Sequence, residues 1–116
     1  MIPETERYRI ENGVLVIKDG VTSINENEFK GMNGIREVRF PSGLTWIWEG
    51  AFSGCVKLKK VQFPASLEHL CNFSFSGCKG LKEAIVPSNT RIEKFAFSGC
   101  DSLERVIIRD INTGKI

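Results

Sequence analysis

One histidine, one tyrosine and a net charge of only +2 are the scarcities of this 116-residue chain. With a single imidazole, His69, no multi-histidine metal site can form, and any nucleophile needing a histidine base depends on that position. Sixteen Lys and Arg residues face 14 Asp and Glu, and the basic ones are interleaved with glutamates rather than clustered. The basic stripe that marks a nucleic-acid or anionic-membrane partner is missing, so neither is expected. No apolar run approaches the ~20 residues of a membrane-spanning helix. The glycine motifs of hydrolase elbows, P-loops and dinucleotide folds are absent too, so no catalytic centre and no cofactor are expected. The opening residues MIPETERYRI lack a basic patch followed by an apolar run. No secretory leader is legible there: the protein stays inside the cell, or the chain shown starts after its leader.

Four cysteines are present, Cys55, Cys71, Cys78 and Cys100, and no two have the CxxC spacing of zinc or redox motifs. Three of them fall at one place in a repeated phrase: AFSGCVKLKKVQFP, SFSGCKGLKEAIVP and AFSGCDSLERVII. Aligned on Phe29, Phe52, Phe75 and Phe97, the repeat steps by 23, 23 and 22 residues. Every other apolar position keeps this register. Met32, Cys55, Cys78 and Cys100 follow the phenylalanines, then Ile35, Leu58, Leu81 and Leu103. Next come Val38, Val61, Ala84 and Val106, and then Phe40, Phe63, Val86 and Ile108. Ile24, Ile47, Leu70 and Ile92 precede the phenylalanines, and Leu15 and Ile17 begin the pattern upstream. The one-residue shortening falls in the turn PSNTR, where a loop tolerates it and a strand would not.

A unit this short cannot bury its own apolar face, so neighbouring units must stack and bury it jointly. Alternation in Leu58-Lys-Lys-Val61-Gln-Phe63 reads as a strand with Leu, Val and Phe inward. Ser-Gly and Pro punctuate the turns. Two strand-like pieces around Glu11-Asn12-Gly13 read as a hairpin that caps the first coil. The expected fold is a β-rich solenoid of about four coils. Residues 1–13 form a cap segment, 14–108 the repeats, and 109–116 a tail.

The pattern I-x4-F-S-G-C-x-x-L-x-x-V-x-F/I-P, recurring from about residue 14 to 108, resembles the BspA-type, or Treponema-type, leucine-rich repeat. The resemblance implies a small solenoid of the kind found on surface proteins of host-associated bacteria and some protists. Such repeats serve there in adhesion and protein binding, which implies a cell-surface or secreted setting.

In a stack of this kind Cys55, Cys78 and Cys100 form an inward column continued by Met32, cysteine behaving as a small dense hydrophobe. Cys71 follows the inward Leu70 and is expected outward, as the one reactive thiol. Glu37, Lys60, Glu83 and Arg105 form an outward column of alternating sign that suits a register-fixing charge ladder. The companion column ends apolar in Ile85 and Ile107. Because Ile47 points in, Trp46 and Trp48 point out beside His69, with Phe73 and Phe95 near the same face. Exposed, clustered aromatics mark contact surfaces. These seven residues, Trp46, Trp48, His69, Phe73, Phe95, Ile85 and Ile107, are the candidate protein contacts. The tail RDINTGKI lacks the repeat register, so the last coil ends without a covering unit. A homodimer through that end or through the aromatic face is one expected outcome. The functional expectation is a non-enzymatic module that presents an outward face to a protein partner. The alternative is a structural segment of a longer surface adhesin that has no binding site of its own.

Overall fold

A computed structural model describes residues 6–116; the first five residues of the expected cap segment lie outside the described residues. The chain opens with the hairpin that Asn12-Gly13 foretells. Strand β1 (Tyr8–Glu11) pairs antiparallel with β2 (Val14–Ile17), Tyr8 opposite Ile17 and Glu11 opposite Val14. Asn12 and Gly13 sit at φ 49° and 77°, the left-handed pair that a two-residue turn requires. From β2 onward the chain winds in coils, and each coil lays one short strand on each of two faces.

The first face carries β2, β4 (Glu37–Arg39), β6 (Lys60–Gln62), β8 (Glu83–Pro87) and β10 (Arg105–Arg109). The second carries β3 (Ser23–Ile24), β5 (Trp46–Ile47), β7 (His69–Leu70) and β9 (Arg91–Ile92), paired in that order. All pairings between coils are parallel and follow the repeat step: Ile24 lies beside Ile47, Ile47 beside Leu70, and Leu70 beside Ile92. The turns are bonded from coil to coil as well. Gly31, Gly54 and Gly77 donate their N–H groups to the carbonyls of Ser53, Ser76 and Ser98 at 2.7–2.8 Å. Those glycines have φ between 67° and 74°, a backbone state that costs a side-chain-bearing residue free energy. The recurring Ser-Gly is therefore demanded by the turn.

The phenylalanines stand in single file. Ring centroids are 5.3 Å apart from Phe29 to Phe52, 4.9 Å from Phe52 to Phe75 and 5.9 Å from Phe75 to Phe97. Tyr8 closes the file at the hairpin end, edge-on to Phe29 at 4.9 Å. The cysteine column is inward too. Cys55, Cys78 and Cys100 direct their thiols to the carbonyls of Phe29, Phe52 and Phe75 at 3.0–3.3 Å, and none is disulfide-bonded. Cys55 and Cys78 are buried and Cys100, in the last coil, only partly so. Among the described residues no helix is long and apolar enough to cross a membrane.

Two features interrupt the regularity. The hydrogen-bonded ladder of the first face breaks between β4 and β6, giving the separate strand sets β1-β2-β4 and β6-β8-β10. The gap is a cavity of about 330 Å³ lined by Arg36, Glu37, Lys59, Lys60 and Gln62. The expected charge ladder consequently forms in three of its four members. Glu83 bridges Lys60 at 3.6 Å and Arg105 at 2.9 Å, whereas Glu37 turns to Arg39 on its own strand at 2.8 Å. At the other end the segment after β10 curls into a turn held by Asp110, whose N–H donates to Lys115 and whose carboxylate accepts from Asn112 and Thr113. It anchors to Ser88 but leaves Val106 and Ile108 exposed and Phe97 and Leu103 only partly buried.

Candidate functional site

The second face positions the two tryptophans and His69. In β5 the inward Ile47 fixes the pleat, so Trp46 and Trp48, on either side of it, share the outer face. Their indoles stack at 4.5 Å and 17°. Trp46 is sandwiched, with the imidazole of His69 from the next coil 3.7 Å away on its other side. One face of Trp48 stays open, and the residue is 42% exposed. Part of the aromatic surface is thus consumed by internal stacking, and the remainder is held rigid by it.

Next to this stack lies a cleft of about 280 Å³. Its walls are Trp48 and Glu93, with Trp46, His69 and Arg91 in the adjoining column and Glu49 at the rim. Cys71 occupies the middle of the Trp48–Cys71–Glu93 column and forms the floor. It points to the outer face as expected, but it is buried, only 6% exposed. This corrects the expectation of a reactive thiol. A short side chain between a tryptophan and a glutamate lies below the level of both. Burial, and then the Glu93 and Glu49 carboxylates, push the thiol up to about 11. At neutral pH it is protonated and a poor nucleophile. His69 is committed to the indole of Trp46, and the carboxylate beside the thiol, Glu93, holds the proton on sulfur.

Phe73 and Phe95 form a second aromatic pair, stacked at 5.7 Å and 6°, with the Lys94 ammonium 5.3 Å from the centre of the Phe95 ring. Both rings are nearly half exposed, at 46% and 44%. Phe73 also has φ 61°, in the left-handed region. Its counterparts one and two coils earlier are Gly50, at 69°, and Asn27, at 57°, residue types that accept this backbone state readily. A phenylalanine there carries about 1–3 kcal/mol of strain. Glu49 lines both the Trp48 cleft and the concavity that Phe73 borders, so the two aromatic groups meet at that residue.

Ile85 and Ile107 do not join them. They belong to β8 and β10 on the first face, side by side in register. Ile85, expected outward and accessible, is buried. It is the centre of a three-stranded set between Gln62 and Ile107, and Arg109 and Ile111 close over it as walls of a common cavity. Ile107 is half-buried for want of a further strand. Sequence reasoning missed Glu49, Arg91 and Glu93 as neighbours of the aromatics. The repeat step could have supplied the last two, since Arg91 is in register with His69 and Glu93 falls one step after Cys71. Among the described residues, no group of three or more His, Cys, Asp or Glu side chains could hold a metal ion.

A family model described as BspA type leucine rich repeat region matches residues 8–115 in six copies. The chain is similar to the crystal structure of a leucine rich cell surface protein from Faecalibacterium prausnitzii, with TM-score 0.56 and 21% identity. That match covers 84% of this chain and 32% of the other, so the chain spans about a third of that structure's length. Comparison with curated proteins gives no match.

Proposed function

Because the chain belongs to the BspA-type leucine-rich-repeat family, we propose that it is a non-enzymatic recognition module whose second face binds a protein partner. The structural neighbour's name, a cell surface protein, supports an adhesion-type setting for that role. The observation that carries the reading is Phe73. A residue type ill suited to the left-handed backbone it shares with Asn27 and Gly50, and displaying an aromatic ring to solvent, lowers stability without serving the core. Local rules are broken in this way where function requires it. The exposed pair Phe73–Phe95 offers a flat apolar contact of the kind that forms the desolvated centre of an interface, with Lys94 and Glu49 at its rim.

Phe73→Asn, which restores the residue type of the first coil, separates the two roles of the position. Its melting temperature is expected to equal or exceed that of the wild type. A phage-displayed random peptide library selected on the wild-type protein should yield sequences that bind it and lose at least about tenfold in affinity on Phe73→Asn. Selection that enriches nothing, or peptides that bind both proteins equally, would reject the contact face. It would favour a structural segment of a longer surface protein instead.

A further inference from the structure

We propose that the cleft between Trp48 and Glu93 is a saccharide-binding site that takes one neutral pyranose ring beside the Trp48 indole. The site is distinct from the Phe73–Phe95 contact, and its existence does not depend on a protein partner. Three observations support it.

The first is shape. Trp48, Cys71 and Glu93 hold one column position on three successive strands, which are spaced by about 4.8 Å. The small middle residue therefore leaves a depression between the indole and Glu93, whose carboxylate leans back toward the middle strand to accept the Asn72 N–H. The cleft's volume of about 280 Å³ lies just below the ~300–1,000 Å³ of sites for larger organic ligands, a size suited to a single ring.

The second is preorganisation. The Trp48 indole is braced by Trp46 at 4.5 Å, which is itself stacked on His69 at 3.7 Å. Glu93 is also fixed: its Oε1 accepts the backbone N–H of Asn72 at 2.8 Å. A rigid platform and a fixed acceptor cut the ordering cost of binding.

The third is the mixture of polar groups. Two carboxylates, Glu49 and Glu93, and one guanidinium, Arg91, line the cleft. Among the described residues none of the three forms an ion pair. An anionic ligand would meet both glutamates, an apolar segment would leave all three unpaired at a cost, and a cation drawn by the carboxylates would leave Arg91 without a partner. Hydroxyl groups donate and accept alike, and a pyranose adds a flat C–H face for the indole. That combination offers a partner to the carboxylates, the guanidinium and the indole alike.

The test is a titration of the folded protein with methyl glycosides of glucose, galactose, mannose and N-acetylglucosamine. The reporters are the two indole N–H signals in nitrogen-edited NMR spectra. At least one glycoside is expected to shift the Trp48 signal more than that of Trp46. Trp48→Ala should weaken binding by about tenfold or more. Trp48 lies outside the core, and a melting curve verifies that its variant is folded. Arg91→Gln, a surface change of similar length, should weaken binding severalfold with the fold intact. Phe73→Asn should leave it unchanged, so loss of the protein-contact reading and loss of this one are told apart. Indole signals unmoved by all four glycosides would overturn the proposal. So would equal affinity in Trp48→Ala, or a response to the cationic probe lysine methylamide in place of the sugars.

Discussion

At the scale of single residues, the thiols show how one amino acid takes its character from its column. Cys55 and Cys78 are buried and hold their protons: burial pushes Cys55 up to about 11, and the Cys100 sulfur and burial push Cys78 up as well. Cys71, on the other side of the sheet, reaches about 11 mainly through burial beneath taller neighbours. A thiol whose folded pKa is raised contributes stability in full below the unfolded value of 9.0, and loses it as pH climbs toward about 11. Across that window the unfolded chain releases the proton and the folded one keeps it. The melting temperature should therefore fall between pH 9 and 11 more steeply in the wild type than in Cys55→Ala. The comparison concerns slopes, since the alanine also opens a cavity and lowers stability at every pH. Identical slopes in melts followed by circular dichroism would acquit the thiol. Phe73 illustrates the converse case, a residue whose column partners, Asn27 and Gly50, reveal it as the exception.

Among the elements, the first coil is secured by a device that spacing alone did not reveal. Arg7 reaches from the chain ahead of β1 to the turn after β3. Its Nε and Nη2 each donate to Glu28 at 3.1 Å, and Nη2 also donates to the Ser23 carbonyl. Glu28 in turn accepts the Asn25 N–H at 2.8 Å. Both side chains are largely buried, so this two-pronged pair is stronger than an exposed one. Arg7→Ala should cost about 2 kcal/mol, read as a lower urea midpoint at unchanged m-value. Hydrogen exchange should quicken in β1 and β2 and remain unaltered in β8, because coils interact with nearest neighbours. A loss under ~0.5 kcal/mol would reduce the clamp to an ordinary surface pair. The repeat itself was legible because equal side chains, one step apart, end up stacked; Phe29 to Phe97 needed only counting. The Asn12-Gly13 hairpin was legible for the same local reason. The break between β4 and β6 was not, since Val38 and Val61 obey the pattern on both sides of it. Nor was the Trp46 sandwich, because stacking depends on rotamers and spacing tells only which side of the sheet a ring is on. Ile85 escaped for a third reason: what covers it arrives from Arg109 and Ile111, outside the repeat.

For the molecule as a whole, the asymmetry of its two ends matters most. At the hairpin end β1 covers β2 and Tyr8 seats on Phe29. At the opposite end β10 has a paired neighbour on one side only, β8. The inward columns there are met as if another coil should lie on them, with Val106 and Ile108 exposed and Phe97, Cys100 and Leu103 half-covered. A free parallel edge backed by apolar side chains is a template for pairing. The tail turn does not blunt it, being tied sideways to Ser88. Our expectation is therefore association through this end, β10 of one molecule against β10 of a second, with a population that rises with protein concentration. Sedimentation velocity over a concentration series should show a monomer–dimer equilibrium that ends at two subunits, because a two-fold pairing of identical edges consumes both. Val106→Lys with Ile108→Glu places charges on this half-covered end, beside Ala84 and Val86 of the preceding coil, and should leave a monomer with an unchanged far-ultraviolet spectrum. A wild-type protein that stays monomeric throughout the series would show that this edge is tolerated uncovered. Open-ended growth beyond the dimer would mean that the hairpin end is being used as well.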